Sequence, residues 1–255
     1  MERAETVERS FDAAASRYTS SPVHRSGPDL DAMVEAGCWR GDERVLDIGC
    51  GPGHAAFAVA PHALSVVGLD LSDAMLEEGR QLGRELGIEN VRFERGDACA
   101  LPYRAESFDV VTSRFCAHHY ADSAAVLREV SRVLVPGGLF LVVDSVSPND
   151  PGQDTFLNAI EVLRDPTHVR NYSIAQWTAL LADAGFAPEH LEDFRRRLDF
   201  DSWVERIGTS AANVTSLRQL IAGATDEIRS VYGMTDESCD WEIPVALLRG
   251  TKARD

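Results

Sequence analysis

The sequence predicts an α/β protein built on a doubly wound, mostly parallel sheet, and three observations carry that expectation. Short, branched, apolar runs alternate with helical segments between Arg44 and Asp144. The first run, Arg44-Val45-Leu46-Asp47-Ile48, opens directly into the glycine-rich turn Gly49-Cys50-Gly51-Pro52-Gly53. Acids stand at or just beyond successive strand ends, at Asp47, Asp70 and Asp97. Alternation at this spacing requires right-handed crossovers, with helices on both faces and ligands at the strand C-termini.

A helical N-terminal arm comes first, with Val7, Phe11, Ala14, Ala15 and Tyr18 at helical spacing and Pro22 beyond it. A second helix is expected over Pro28–Cys38. Strands follow at Arg44–Ile48, Ser65–Leu69, Val91–Glu94, Phe108–Thr112 and Leu139–Asp144, with helices at His54–Pro61, Ser72–Leu86 and Ser123–Leu134 between them. Ser72 suits an N-cap and Gly87 a helix stop. After Asp144 the rhythm changes. Helices are expected at Thr155–Leu163, after a Ser173 cap through Trp177 and Leu181 to Gly185, at Phe200–Ile207 and at Val214–Val231; strands are expected at Phe186–Leu198 and Trp241–Leu248. Pro244 argues for an irregular or edge position of the last strand. This divides the chain into an arm or lid (1–43), a cofactor-binding core (44–147) and cap helices plus the strands that complete the sheet (148–255), within one structural domain.

Hydrophobic residues at 44% and charged residues at 26% suit a soluble globular chain. A charged start and the lack of a long apolar run point to a cytoplasmic protein without a membrane span. Five scattered cysteines without a C-x-x-C pair argue against disulfides and zinc, and Cys50 and Cys116 read as small buried thiols. With 41 acidic against 25 basic residues the net charge is −16, which repels nucleic acid. The basic run Arg195-Arg196-Arg197 reads as a solvated face neutralised by Asp193, Asp199 and Asp201.

The glycine turn departs from the dinucleotide fingerprint, since G-x-G-x-x-G would need glycine where His54 stands. Asp47 would repel a pyrophosphate and suits a cationic ligand better; a purely structural turn is the competing reading. Taken as a whole, Val45-Leu46-Asp47-Ile48-Gly49-Cys50-Gly51-Pro52-Gly53 resembles the signature of class I S-adenosylmethionine-dependent methyltransferases. Gly68-Leu69-Asp70-Leu71-Ser72, Gly96-Asp97-Ala98, Phe108-Asp109-Val110-Val111 and Val133-Leu134-Val135-Pro136-Gly137-Gly138 match that family in order and spacing. The resemblance implies the seven-stranded class I fold and S-adenosyl-L-methionine as cofactor, with S-adenosyl-L-homocysteine as product. It places Asp47, Gly49, Gly51 and Gly53 at the cofactor, Asp70 on the ribose hydroxyls, and Asp97 and Ala98 at adenine. Leu71 and Met75 can pack on the adenosine, although a methionine at helical spacing is usually core. Arg114 is placed with the cofactor set.

The segment Ser113 to Asp122 follows the fourth strand on the ligand edge. The family often carries a histidine there followed by an acid, and His119 with Asp122 fits. His119, with His118 as the fallback, is the candidate general base for a small-molecule acceptor; helix capping or packing is the alternative. Arg164 to Ile174 is similar to a stretch in relatives of the ubiquinone/menaquinone C-methyltransferases. His168, Arg170 and Tyr172 are candidates for acceptor binding there, whereas Asp165 and Asn171 read as structural ties. Tyr18 and His24 belong to the arm, which in related proteins folds over the cofactor; Tyr18 is a further acceptor candidate, and an aromatic anchor holding the arm to the core is the alternative. The competing functions are other chemistry on the same cofactor, a non-catalytic binding protein, and, against His54 and Asp97, a nicotinamide-dependent oxidoreductase. Neither the acceptor, the atom methylated nor the oligomeric state is legible.

Overall fold

The strands form where branched apolar residues cluster: β1 (Arg44–Ile48), β2 (Ser65–Asp70), β3 (Val91–Arg95), β4 (Phe108–Arg114), β5 (Leu134–Ser145), β6 (Phe186–Leu198) and β7 (Trp241–Lys252). The computed structural model describes residues 2–235 and 238–254, and in it these strands make one seven-stranded sheet ordered β3-β2-β1-β4-β5-β7-β6. Strands β1 to β5 run parallel, and β7 inserts antiparallel between β5 and β6. Both faces are covered. Val45, Val66 and Val110 pack into one core layer, while Leu46, Val67 and Val111, their neighbours in sequence, pack into the other. A period of two buried on both sides is what a parallel sheet between helices demands.

The arm is three helices, α1 (Glu2–Asp12), α2 (Ala15–Thr19) and α3 (Pro22–Arg25), followed by α4 (Pro28–Glu35). One continuous helix through Tyr18 was expected; the chain instead breaks at Ala13-Ala14, and Pro22 and Pro28 each start a new helix from its first turn. The crossovers are α5 (His54–Val59), α6 (Asp73–Leu86) and α7 (Ser123–Val133). On α6, Ser72 accepts from the Met75 N–H, and Gly87 closes the helix in the left-handed conformation, as expected. A cap of this kind contributes about 1 kcal/mol.

Beyond β5 lie α8 (Pro151–Arg164), α9 (Ile174–Asp183), α10 (Phe200–Ile207), α11 (Ala211–Ala222) and α12 (Asp226–Val231). Ser173 and Gln176 make a reciprocal capping box on α9. The single helix expected over Val214–Val231 is two, because the chain turns at Gly223 and Thr225 caps a fresh start. β7 is not an edge strand, contrary to the reading of Pro244. The register with β5 ends at Ser145 opposite Val245, so the missing Pro244 N–H falls just past the end of that pairing; its carbonyl still accepts from Val146 N. Among the described residues no helix is long and apolar enough to cross a membrane.

Candidate active site

The sheet order reverses between β1 and β4, where Asp47 lies in register with Thr112. At such a switch point neighbouring loops diverge and leave a crevice at the strand C-termini. The glycine turn shapes one wall. Gly49 (φ +63°) admits no side chain, since a Cβ there would lie 1.9 Å from the Cys116 Sγ. Gly51 (φ +52°) donates its N–H to Asp70 Oδ2 at 2.8 Å, and Ser72 N donates to Asp70 Oδ1 at 2.9 Å. Asp70 thus ties the turn to the start of α6, and burial raises its carboxyl above the usual range. The resulting cavity encloses about 1190 Å³, partly open to solvent.

Most of the residues assigned to a cofactor line this cavity: Asp47, Gly49, Gly51, Asp70, Leu71, Met75, Asp97, Ala98 and Arg114. Cys50 and Cys116, expected as buried thiols, line it too and are only partly buried. Gly53 does not line it. It is the left-handed N-cap of α5, held against Phe93, so its role is in the turn. Asp97 accepts from the Cys99 N–H at 2.8 Å, which fixes the loop after β3. Asp47 is fully buried. Thr112 donates to its Oδ1 at 2.8 Å, Oδ2 has no hydrogen-bond partner, and burial pushes the carboxyl up to about 7. A buried carboxylate oxygen without a donor is costly unless something cationic or hydrogen-bonding meets it.

Arg114 reaches this cavity from the end of β4, but its main partner is elsewhere. Its Nε donates to Asp29 Oδ2 at 2.7 Å and one terminal nitrogen to the His24 carbonyl at 2.7 Å; the other terminal nitrogen is buried without a partner. Asp29 also binds Arg196 from β6. The two guanidinium groups lie over Phe115 at 4.8 and 4.4 Å from its ring centre. Phe115 itself holds a left-handed backbone (φ +52°), a strained conformation of the kind that persists at functional sites. Arg196 was expected on a solvated face; the arm and α4 cover it, and its side chain is only 14% exposed.

A second cavity of about 540 Å³ adjoins the first. Tyr18, His24, Phe115 and His119 line both. His118 lines the second alone, with its Nδ1 2.6 Å from Asp144 Oδ1 and its backbone N–H donating to Asp144 Oδ2. Burial works against its imidazolium, but Asp144's charge and hydrogen bond outweigh it and hold His118 above the ordinary histidine range. His119 is the opposite case. Burial and the neighbouring His118 push it well below that range, while its Nδ1 lies 3.1 Å from the Thr167 hydroxyl and its ring stands edge-on to Phe11.

Three acceptor candidates line neither cavity. His168 is buried, with Nε2 3.2 Å from Asn158 and its ring near His118. Arg170 pairs with Asp154 at 2.9 Å. Tyr172 packs edge-on against Trp177. This segment ties down the histidine loop, because the N–H groups of Val169 and Arg170 both donate to the His118 carbonyl. Asp165, which caps Thr167, and Asn171, which accepts from Ser145, are ties as expected. Asp122 caps α7 and is not a partner of His119. The sequence reading missed Glu161, Arg164, Arg196 and Arg206, all in the second cavity. A signal existed for two of them: on α8, Glu161 and Arg164 share the buried stripe of Leu157 and Ile160.

An order with β7 antiparallel between β5 and β6, and a glycine turn at the β1 end, defines the class I methyltransferase fold. The chain belongs to the methyltransferase domain family, whose pattern matches residues 40–185. It is 38% identical, over 90% of its length and 91% of the relative's, to the uncharacterized methyltransferase YcgJ of Bacillus subtilis. The crystal structure of YcgJ superposes with a TM-score of 0.85 at 35% identity, over 89% of this chain and 99% of that one. A demethylmenaquinone methyltransferase of Listeria welshimeri is 39% identical over 118 residues, 45% of this chain and 50% of that protein. The same fold, at 23% identity and a TM-score of 0.61 over 89% of this chain and 80% of the other, occurs in the [4+2]-cyclase SpnF, so the fold leaves the chemistry to the site.

Proposed function

We propose that the chain transfers a methyl group from S-adenosyl-L-methionine, held in the first cavity, to a small-molecule acceptor held in the second. The observation that carries this reading is the shared wall of Tyr18, His24, Phe115 and His119 between two cavities of different character. The residues fit the cofactor. Asp47 Oδ2 offers an unpartnered buried acceptor for a cationic amine, and Asp70 and Asp97 keep spare lone pairs for hydroxyl and amine donors. When bound, the cofactor supplies an activated methyl group on a positively charged sulfur.

The chain's own share is positioning and proton transfer. The arm residues Tyr18 and His24 and Phe115 wall the junction, and holding two reactants in line can supply on the order of 7–11 kcal/mol. Asp144 bonds the Nδ1 of His118 and so leaves Nε2 as the nitrogen that can take a proton from an attacking hydroxyl, amine or acidic carbon. This transfers the base role from His119 to His118. His119 stays neutral at the junction and shapes it.

Calorimetry with S-adenosylhomocysteine tests the cofactor half. Asp70→Ala and Asp47→Asn should each weaken binding roughly 10- to 100-fold, the loss of a charged acceptor. Asp47 must be ionised to meet the ligand amine, so wild-type binding should strengthen as pH rises toward 7 and release a proton below it. Binding that is unaffected by both substitutions and by pH would overturn the assignment.

A further inference from the structure

The second cavity carries an imbalance of charge. Arg164, Arg196 and Arg206 come to it from α8, β6 and α10. Arg196 is satisfied by Asp29 and the Val23 carbonyl. Arg164 donates to the Trp203 carbonyl at 3.2 Å and has Glu161 and Asp165 each at 3.9 Å. Arg206 has no hydrogen bond or ion pair from its guanidinium to any described residue, although it is half-buried in the cavity wall. Burial, then the charges of Arg164 and Arg196, hold it below the ordinary arginine range. Burial likewise lowers Arg196 and raises Glu161, which leaves the acid less able to neutralise the cluster. Asp29 serves Arg114 and Arg196, Glu161 and Asp165 stand by Arg164, and the His118–Asp144 pair balances itself, so Arg206 is the cavity arginine with no acid of its own among the described residues. A guanidinium has five donors and no acceptor, and it matches a planar carboxylate in a two-point fork.

We propose that the acceptor is a small organic acid, its carboxylate seated on Arg206 beside Arg164 and its apolar or aromatic body lying against Phe115, Trp203 and Ile243. The inference deepens the methyl-transfer reading and rests on it for the word acceptor; the anion site itself stands on the cavity's own charges. One arginine without an acid of its own fits a monoanion, and the apolar walls favour a carbon skeleton over an inorganic ion. Phe115 and His119 are then the link through which the body of the acid reaches the junction, with His118 beside it.

The test is titration of the full chain, with and without saturating S-adenosylhomocysteine, using benzoate, benzamide and inorganic phosphate as probes and tryptophan fluorescence as the readout. Benzoate should bind saturably and at least tenfold more tightly than benzamide, its neutral counterpart, and more tightly than phosphate. Arg206→Gln should weaken benzoate at least tenfold and Arg206→Lys less, while both variants keep wild-type affinity for S-adenosylhomocysteine and wild-type Tm. Equal binding of benzoate and benzamide, or full retention in Arg206→Gln, overturns the anion site; tighter binding of phosphate overturns the carboxylate class. Should S-adenosylhomocysteine fail to bind while benzoate binds through Arg206, the methyl-transfer reading falls and the anion site remains.

Discussion

His118 and His119 are adjacent in sequence and stand under opposite electrostatic conditions. Burial disfavours the imidazolium of both. Asp144, at the end of β5, reverses this for His118 through a 2.6 Å contact, whereas His119 has the Thr167 hydroxyl at 3.1 Å and the neighbouring His118 against it. Asp144 is in turn held below the ordinary carboxylate range: burial would raise it, and the charge and hydrogen bond of His118 prevail. A base acts in its neutral form, so turnover should rise with pH through a value above the ordinary histidine range, about 6.5. Asp144→Asn removes the cause of that elevation and should move the rising limb to lower pH; a pH–rate profile of the variant measures this. His118→Ala should lower kcat by about 10²–10⁴-fold with little change in cofactor affinity, and His119→Ala should lower it less. A limb that stays in place in Asp144→Asn would remove His118 from the role. The sequence showed a histidine pair on the ligand edge. Which of the two we propose as the base turns on a carboxylate 26 residues away.

The arm and α4 do more than cover the site. Asp12 of α1 accepts from the Ser72 hydroxyl at 2.5 Å, Glu8 pairs with Arg95, and α2 and α3 contribute Tyr18 and His24 to both cavities. Asp29 on α4 then joins two strands that are not neighbours, β4 through Arg114 and β6 through Arg196. A buried acid between two buried cations is costly to remove, because both guanidinium groups are left uncompensated. Asp29→Ala should destabilise the fold by about 3–5 kcal/mol, read from denaturant unfolding; a loss below about 1 kcal/mol would mean that water takes over the neutralisation. The amphipathic pattern placed these helices approximately, but their breaks came from single residues. Gly223 and Thr225 divide what the periodicity suggested was one helix. Pro244 gave a misleading signal, since its missing donor matters only where a partner strand is present to accept it.

At the scale of the molecule, the described residues after β5 form no sheet of their own. β7 pairs with β5 along Leu139–Ser145 and with β6 along Phe186–Leu198, so the hairpin-like pair of β6 and β7 is a continuation of the core sheet. We therefore propose one cooperative unit in place of a core and a separate cap domain. A fragment of residues 145–255 should lack cooperative unfolding by circular dichroism, while the whole chain melts in one transition. A fragment with a sharp transition of its own would show that the cap is a domain. The net charge is −16, yet the second cavity concentrates arginines, a local reversal that an overall count hides.

The succession of strands β1 to β5 along the chain, the glycine turn and the acids at Asp47, Asp70 and Asp97 were determined by the sequence alone, because each depends on local pattern. A period of two makes strands, positive φ calls for glycine, and a strand end beside such a turn becomes a ligand edge. Gly53 marks the limit even there: the motif implied a ligand contact, and the fold uses the residue to start α5. Only the tertiary structure decided the chemistry of the second cavity. Arg164, Arg196 and Arg206 lie on three different elements, and although Arg164 shares the apolar stripe of α8, Arg196 and Arg206 each read from the sequence as one more solvated base. Their convergence on a half-buried wall, and the absence of a described partner for Arg206, depend on long-range packing that no local period encodes.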